Sequence, residues 1–378
     1  MARPVVPAGR AAVSHHIPRA AVVGAAALLI DVHAPDLHAP HASQMAQGEQ
    51  EPAGVVDMYM TPDVPFRLTT PWQGTDPFLF TAFHQDAYPA GDAEQGPGAA
   101  RPDGWSMYHG QRIPGFPAHP HRGFETITLV TSGHVDHTDS LGAAARYGQG
   151  DAQWLTTGAG VTHSEMFPLV NEDSPNPLEL FQIWLNLPPE AKTAAPEFTM
   201  QWAEDIPVHT SDGGSVRVIA GALGQVTPLN PPVNSWAADP TNDVAVWLID
   251  VAADSSLTLP PARTDETRRT LYVFSGDAGV NGTAVAEGWG FQQVGRQQTE
   301  IAAGTRPVRA LLLQGVPIGA PVVQHGPFVA NSRAELAQAF TEYQETRFGG
   351  WPWPTTEEVF PREQGRFARL PDGTLLRP

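Results

Sequence analysis

Two short pairs of side chains carry the chemistry that this sequence suggests. The stretch HPHRGFET places His119 and His121 two positions apart, and GAGVTHSE places His163 and Glu165 two positions apart. Alternate residues of a β-strand point to the same face, so each pair can direct both of its side chains at one point. Three imidazoles and one carboxylate suit a divalent metal such as iron, manganese, nickel, copper or zinc.

The spacing between the pairs fits a single site. A hydrophobic strand and two glycine-containing turns separate them, which is enough chain to run out along one hairpin and return on a neighbouring strand. Four protein ligands leave two open positions on a six-coordinate metal, where substrate and dioxygen can bind together. A third near-pair, His134 and His137, is interpreted as the exposed end of a surface strand.

The elements that must position these residues are β-strands. Several segments are rich in β-branched and aromatic residues, are bounded by turn residues and often alternate with a period of two, which predicts half-buried strands. They include residues 124–135, 216–223, 243–251 and 268–276. The chain holds 36 glycines and 38 prolines, which favours many turns. Short strands of this kind are typical of β-barrels and β-sandwiches.

One late segment, residues 331–348, predicts an α-helix. Asn331 or Ser332 can cap its first turn, and a glutamate follows three residues after Ser332. Leu336, Phe340 and Tyr343 form its apolar stripe.

Composition excludes several classes of function. The net charge of −18 disfavours direct binding to nucleic acid or to an anionic membrane. The chain has no cysteine, so disulfides and thiolate metal ligands are impossible. The first 54 residues are set apart as an extension. Their apolar run AAVVGAAALLI is too short to span a bilayer. A signal-peptide core, a disordered extension and translation upstream of a start at Met45 or Met58 all stay open.

Three blocks of sequence resemble the pirin family of the cupin superfamily. They are HPHRGFET, GDAQWLTTGAGVTHSEMF and PVVQHGPFVANSRAELAQAFTEYQ, in this order. The resemblance implies an all-β bicupin: two cupin-type antiparallel β-barrels with one late α-helix. We expect an N-terminal metal-binding barrel at 55–200, a metal-free C-terminal barrel at 201–348 and a tail at 349–378. An insertion at 90–112 and the tryptophans Trp351 and Trp353 of the tail depart from a minimal pirin. The insertion could reshape the mouth of the pocket, and the tryptophans could pack across a barrel or form an exposed partner site.

The resemblance also implies the ligands and the metal. The metal ligands of the family fall on His119, His121, His163 and Glu165, and the expected cofactor is one divalent ion, Fe(II), with Mn, Ni, Cu and Zn as alternatives. Glu125 occupies the place of a third ligand in many other cupins and is expected just outside the ligand set. The chain beyond residue 200 has no His-x-His motif. The family block around His325 implies a contact near the pocket or domain interface, or a structural hydrogen bond.

Two functions are implied for such a protein. The first is a quercetin 2,3-dioxygenase-type oxidoreductase that opens a flavonol-like aromatic substrate with dioxygen, with Glu165 as both ligand and catalytic base. The alternative is an iron- or redox-responsive regulator that binds a transcription factor or a metabolic enzyme. In either case we expect a cytoplasmic monomer that binds neither nucleic acid nor membrane.

Overall fold

The computed structural model describes residues 60–98 and 107–378, and these residues form an all-β protein with one α-helix. The extension at 1–54 lies outside the described residues, as does part of the insertion at 90–112. Within the described residues, no helix combines the length and the apolar character that a membrane span requires. The cytoplasmic location and the monomeric state stay predictions.

The strands are numbered in chain order. The first eleven are β1 (Pro65–Arg67), β2 (Trp72–Gln73), β3 (Phe78–Tyr88), β4 (Gly115–His121), β5 (Phe124–Ser132), β6 (His134–Asp139), β7 (Ala144–Gly148), β8 (Asp151–Thr156), β9 (Val161–Met166), β10 (Asn176–Asn186) and β11 (Glu197–Gln201). The next seven are β12 (Val208–Ser211), β13 (Gly214–Ala220), β14 (Ala245–Val251), β15 (Ser256–Leu259), β16 (Arg268–Ser275), β17 (Ala278–Val280) and β18 (Thr283–Val285). The last seven are β19 (Trp289–Val294), β20 (Thr299–Ala303), β21 (Val308–Gly315), β22 (Val323–His325), β23 (Phe328–Ala330), β24 (Phe367–Arg369) and β25 (Leu375–Leu376). Five short 3-10 helices lie at Pro189–Ala191, Trp236–Ala238, Pro240–Asn242, Arg347–Gly349 and Arg362–Gln364.

Two antiparallel sheets form the first barrel. Their strand orders are β11-β8-β5-β10-β3-β2 and β25-β24-β7-β6-β9-β4. The inward-facing residues of both sheets make one apolar cluster that includes Phe116, Val130, Tyr147 and Leu180. Strands such as β5 were predicted to be half-buried, but β5 is buried on both faces from Phe124 to Val130, because its outer face packs in the cluster that joins the two barrels.

The second barrel repeats the arrangement and packs against the first. Its sheets run β1-β19-β16-β21-β14-β13-β12 and β15-β20-β17-β18. A large apolar cluster joins the outer face of the β5 sheet to the outer face of the β16 sheet, with Ile127 and Phe181 on one side and Leu248 and Tyr272 on the other. The predicted all-β fold with two barrels is therefore confirmed, while the boundaries at 200 and 348 stay predictions.

Strands at both ends of the described residues pair with the opposite barrel. Strand β1 pairs with β19 of the second barrel, and β24 pairs with β7 of the first. The tail also covers the first barrel, because Trp353 Nε1 donates to the Asp139 carbonyl (2.8 Å) and its ring lies under the guanidinium of Arg369. Of the two roles considered for the tryptophans, Trp353 therefore packs against a barrel.

The late helix, α1 (Arg333–Thr346), begins as the sequence predicts. The Ser332 hydroxyl accepts from the Glu335 N–H (3.2 Å), and the Glu335 carboxylate accepts from the Asn331 N–H (2.9 Å), so both ends of a capping box are present. Its apolar stripe packs on Phe328 and Phe348. The helix thereby holds β23, and Val329 of β23 packs with Phe124 and Trp184 of the first barrel.

Candidate metal centre

The three predicted histidines converge inside the first barrel. Strand β9 lies between β4 and β6, and the β4–β9 register sets His119 directly opposite His163. The ring centroids of His119, His121 and His163 lie 4.5–4.8 Å apart. One nitrogen from each ring falls within 4.8 Å of the other two, a spacing that lets three imidazoles share one ion.

The local sequence explains how β4 delivers two imidazoles. A bulge between Phe116 and His119 shifts the register of β4, and such bulges commonly re-aim side chains beside active sites. Gly123 then turns the chain into β5 with a φ of +86°. A Cβ at Gly123 would lie 2.0 Å from the Val329 carbonyl oxygen, so only glycine allows this close approach.

The triad is buried and neutral. Burial lowers the pKa of His119 to about 4 and lowers the pKa values of His121 and His163 well below their usual range. The Nδ1 of His119 donates to the Pro117 carbonyl (2.8 Å), which leaves its Nε2 with a free lone pair. Among the described residues, neither ring nitrogen of His121 or His163 has a hydrogen-bond partner of ordinary geometry. Buried polar atoms without partners are rare, and neutral imidazoles with free lone pairs fit a divalent cation.

Glu165 lies beside the triad rather than within it. Its Oε2 is 3.8 Å from His163 Nε2, and it is outside the group of nitrogens that lie within 4.8 Å of one another. Gln182 Nε2 donates to its Oε2 (2.6 Å) and Thr128 Oγ1 donates to its Oε1 (3.2 Å). Burial raises the pKa of Glu165, and the electrostatic interaction with the His137 ring and these two hydrogen bonds work in the opposite direction. Its roles as ligand and base stay predictions.

Aromatic rings enclose the triad on two sides. Phe124 and Trp184 stack on each other at 3.9 Å between centroids, and each lies 5.2 Å from the His121 ring. Phe116 contacts His119 at 6.2 Å. Phe124 and Trp184 cover each other's faces and meet the His121 ring edge-on, so the imidazoles lie in an apolar, aromatic environment.

The interpretation of His137 as a surface residue was wrong. His137 is fully buried, and its ring lies 5.3 Å from that of His163. Its Nε2 lies 3.2 Å from Asp139 Oδ2, and the other carboxylate oxygen, Oδ1, accepts from the backbone N–H groups of Leu141 and Ala143 (2.9 Å each). The error has a physical reason: His137 is paired with Glu165 across β6 and β9, and only that pairing turns it inward. His137 and Asp139 are themselves two positions apart, the signal that had selected the other pairs.

Glu125 does not lie beside the ligands. It alternates along β5 with the inward-facing Thr126, so its side chain points to the second barrel. Thr156 Oγ1 donates to its Oε1 (2.7 Å), and Ser235 of the second half of the chain donates to its Oε2 (2.5 Å). Burial raises the pKa of Glu125 to about 7. His325 also lies away from the triad, as an exposed residue against the Phe340 ring.

Comparisons with known families match both halves of the chain. The Pirin profile matches residues 65–185, and the profile of the Pirin C-terminal cupin domain matches residues 246–349. Both matches lie in the barrels described above, and the first contains all four predicted ligands.

Individual relatives agree with the profiles. A pirin-like protein of Caulobacter vibrioides is 37% identical over 235 residues, which are 62% of this chain and 80% of the relative. Pirin-1 of Arabidopsis thaliana is 36% identical over 247 residues, covering 62% of this chain and 78% of the relative. A crystal structure of quercetin 2,3-dioxygenase from Acinetobacter baumannii superimposes with a TM-score of 0.61 at 25% identity, covering 76% of this chain and 97% of that protein.

Proposed function

Because the chain belongs to the pirin family of cupin proteins, we propose that it is a mononuclear metal dioxygenase that opens the ring of flavonol-like substrates. The proposed ligands are His119, His121, His163 and Glu165, and the proposed metal is Fe(II). The observation that carries this function is the buried triad of neutral imidazoles, whose lone pairs converge with 4.8 Å or less between ligand atoms. A quercetin 2,3-dioxygenase among the similar structures supports the choice of substrate class.

The bound cation would supply Lewis acidity and open coordination positions for the substrate hydroxyl and dioxygen. The chain would supply the base. Glu165 faces the triad beside His163, and its raised pKa favours taking a proton from a phenolic hydroxyl. Gln182 holds the carboxylate, and Trp184 Nε1 donates to the Gln182 amide oxygen (3.2 Å), so the carboxylate keeps its orientation through the proton transfer.

The aromatic walls would orient the substrate. Phe116, Phe124 and Trp184 form the apolar surroundings of His119 and His121, and a flavonol would pack among these rings with its hydroxyl directed at the triad. Packing of this kind fixes the distance between the hydroxyl and Glu165, which is how a binding pocket lowers the barrier to a proton transfer.

The test is oxygen consumption by the apoprotein loaded with Fe(II), measured with a panel of flavonols and with a metal-free control. We expect Glu165→Gln to retain much of the metal and to lose turnover by about two to four orders of magnitude, the range for a lost acid–base group. Glu125→Gln is the matched control, because that carboxyl is equally buried but faces the second barrel.

One result would reject the role of Glu165 as the base, and another would reject the function. Wild-type turnover in Glu165→Gln would remove the base. An absence of oxygen consumption with every flavonol, after loading with Fe(II), Mn(II), Ni(II) or Cu(II), would reject the dioxygenase. In that second case a pull-down comparing ferrous and ferric protein tests the regulatory alternative, which predicts a partner retained by one form alone.

A further inference from the structure

A second polar cluster lies in the interior of the first barrel. His84 and Asp86 alternate along β3 on its inner face, and Tyr108 reaches them from the segment before β4. The Tyr108 hydroxyl lies 2.6 Å from His84 Nδ1, and it donates to the Asp86 carboxylate, with both oxygens at 3.2 Å. None of the three residues belongs to the metal centre described above.

These contacts fix the tautomer of His84. The phenol has one proton, which it donates to the Asp86 carboxylate, because an ionised carboxylate can only accept. His84 Nδ1 must therefore carry a hydrogen and donate it to the Tyr108 oxygen. The lone pair is left on Nε2, the ring nitrogen that does not contact Tyr108. Burial lowers the pKa of His84 to about 4, so this nitrogen is a neutral acceptor.

The backbone at Tyr108 adopts an unusual conformation that contacts with the tail stabilise. Tyr108 has a φ of +53°, in the left-handed region that residues other than glycine rarely adopt. The tail of the chain clamps the same segment, because the Glu357 carboxylate accepts from the backbone N–H groups of Gln111 (3.0 Å) and Arg112 (3.3 Å). An unusual conformation that the surroundings enforce is a common property of functional positions.

Phe116 lies between the cluster and the triad and contacts both. Phe116 contacts His119 at 6.2 Å on one side, and on the other it stacks on Tyr108 at 4.9 Å and meets His84 at 5.7 Å. Along β3, Ala82 is paired with Gln182, the residue that holds Glu165. His84 is two residues further, about 7 Å along the same inner face. It is also partly exposed, unlike the residues of the triad.

We propose that His84 Nε2 is a substrate-binding group that accepts a hydrogen bond from a phenolic hydroxyl remote from the metal. Asp86 and Tyr108 are its positioning residues. The substrate class rests on the proposed function, whereas the binding contact does not require turnover. A ligand of this kind has one hydroxyl at the triad and a second hydroxyl, on another ring, at His84.

The experiment measures flavonol binding to the full chain loaded with Zn(II), which is redox-inert, by quenching of tryptophan fluorescence. The probes are 3-hydroxyflavone and flavonols with further hydroxyls on the fused ring, on the phenyl ring, or on both. We expect the wild type to prefer flavonols with one of these added hydroxyls by about tenfold, the usual effect of one buried hydrogen bond. His84→Phe should lose that preference and keep its affinity for 3-hydroxyflavone.

The variants separate the possible failures. His84→Gln, which can still accept a hydrogen bond, should recover part of the preference, and Tyr108→Phe should weaken it because the tautomer is no longer fixed. His325→Phe, an exposed histidine, is the control and should behave as the wild type. If flavonols bind but His84→Phe discriminates as the wild type does, this proposal alone is rejected. If no flavonol binds the metal-loaded wild type, the proposed function fails, and this proposal fails with it.

Discussion

Glu125 provides the sharpest test of how the two barrels are joined. Its carboxyl is buried at the interface between the barrels, where Ser235 and Thr156 donate to it, and no cation is among its hydrogen-bond donors in the described residues. The replacement Glu125→Gln keeps the shape of the side chain and removes its ability to ionise. The two hydroxyls can still pair with the amide, since each can both donate and accept.

The size of the effect follows from the pKa of Glu125, which burial raises from 4.5 to about 7. A shift of this size corresponds to about 3 kcal/mol between the two protonation states. The folded-state pKa lies above the unfolded-state value, so the fold favours the protonated acid. The stabilising contribution is complete below about pH 4.5 and is lost as the pH rises through about 7. Wild type should therefore lose about 2 to 3 kcal/mol relative to Glu125→Gln between pH 5 and pH 8.

The assay is urea unfolding of both proteins at pH 5, 6, 7 and 8, with the difference in unfolding free energy as the measured quantity. Glu179→Gln is a control of opposite sign. Burial alone would raise the pKa of Glu179, but hydrogen bonds from Arg309 lower it, so its stabilising contribution is present above the unfolded-state pKa and lost as the pH falls. A difference between wild type and Glu125→Gln that stays flat from pH 5 to pH 8 would refute the reasoning.

Three further predictions concern the first barrel. Metal analysis should find about one equivalent of metal in the wild type and none in His163→Ala, because loss of one imidazole breaks up the triad. Full metal occupancy in the variant would reject the ligand assignment. His137→Phe should lower metal affinity by about 10- to 100-fold while leaving the fold intact by circular dichroism, because residues that orient ligands have effects of this size. Deletion of residues 350–378 should lower the melting temperature by about 5 °C or more. The buried Arg146 donates to the carbonyls of Phe360 and Pro361, and the deletion removes both acceptors. An unchanged melting temperature would contradict the packing of the tail.

The triad could be predicted because its signal is local. Two residues of a β-strand separated by one share a face, so His119 with His121, and His163 with its neighbour Glu165, were already paired by the chain itself. The same holds for the strands and for the capped helix, whose residues alternate or repeat within one segment. The grouping of the three histidines could therefore be predicted from the sequence. The position of Glu165 beside the triad, with its Oε2 3.8 Å from His163 Nε2, could not.

The errors share a different cause. His137 and Glu125 both look like ordinary polar positions on a strand, and their direction depends on which face of the sheet another part of the chain covers. The β6–β9 register turns His137 toward His163, and the packing of the second barrel buries Glu125. His84 has the same property, since its partner Tyr108 belongs to the predicted insertion at 90–112. Register and sheet packing are long-range properties, and periodicity in a single sequence does not encode them.

Because strands β1 and β24 each pair with the opposite barrel, the stability of each barrel depends on the other half of the chain. Strand β1 belongs by position to the first half of the chain, yet it pairs with β19, and β24 lies beyond the second half, yet it pairs with β7. The shared face between the sheets is apolar, with Ile127 and Leu248 fully or almost fully buried there. Either half produced alone would expose that face together with an unpaired sheet edge, a combination that leads to aggregation. We therefore expect 55–200 and 201–348 to be insoluble when expressed separately. A monomeric, cooperatively unfolding 55–200 fragment would show instead that the first barrel needs neither the interface nor the tail.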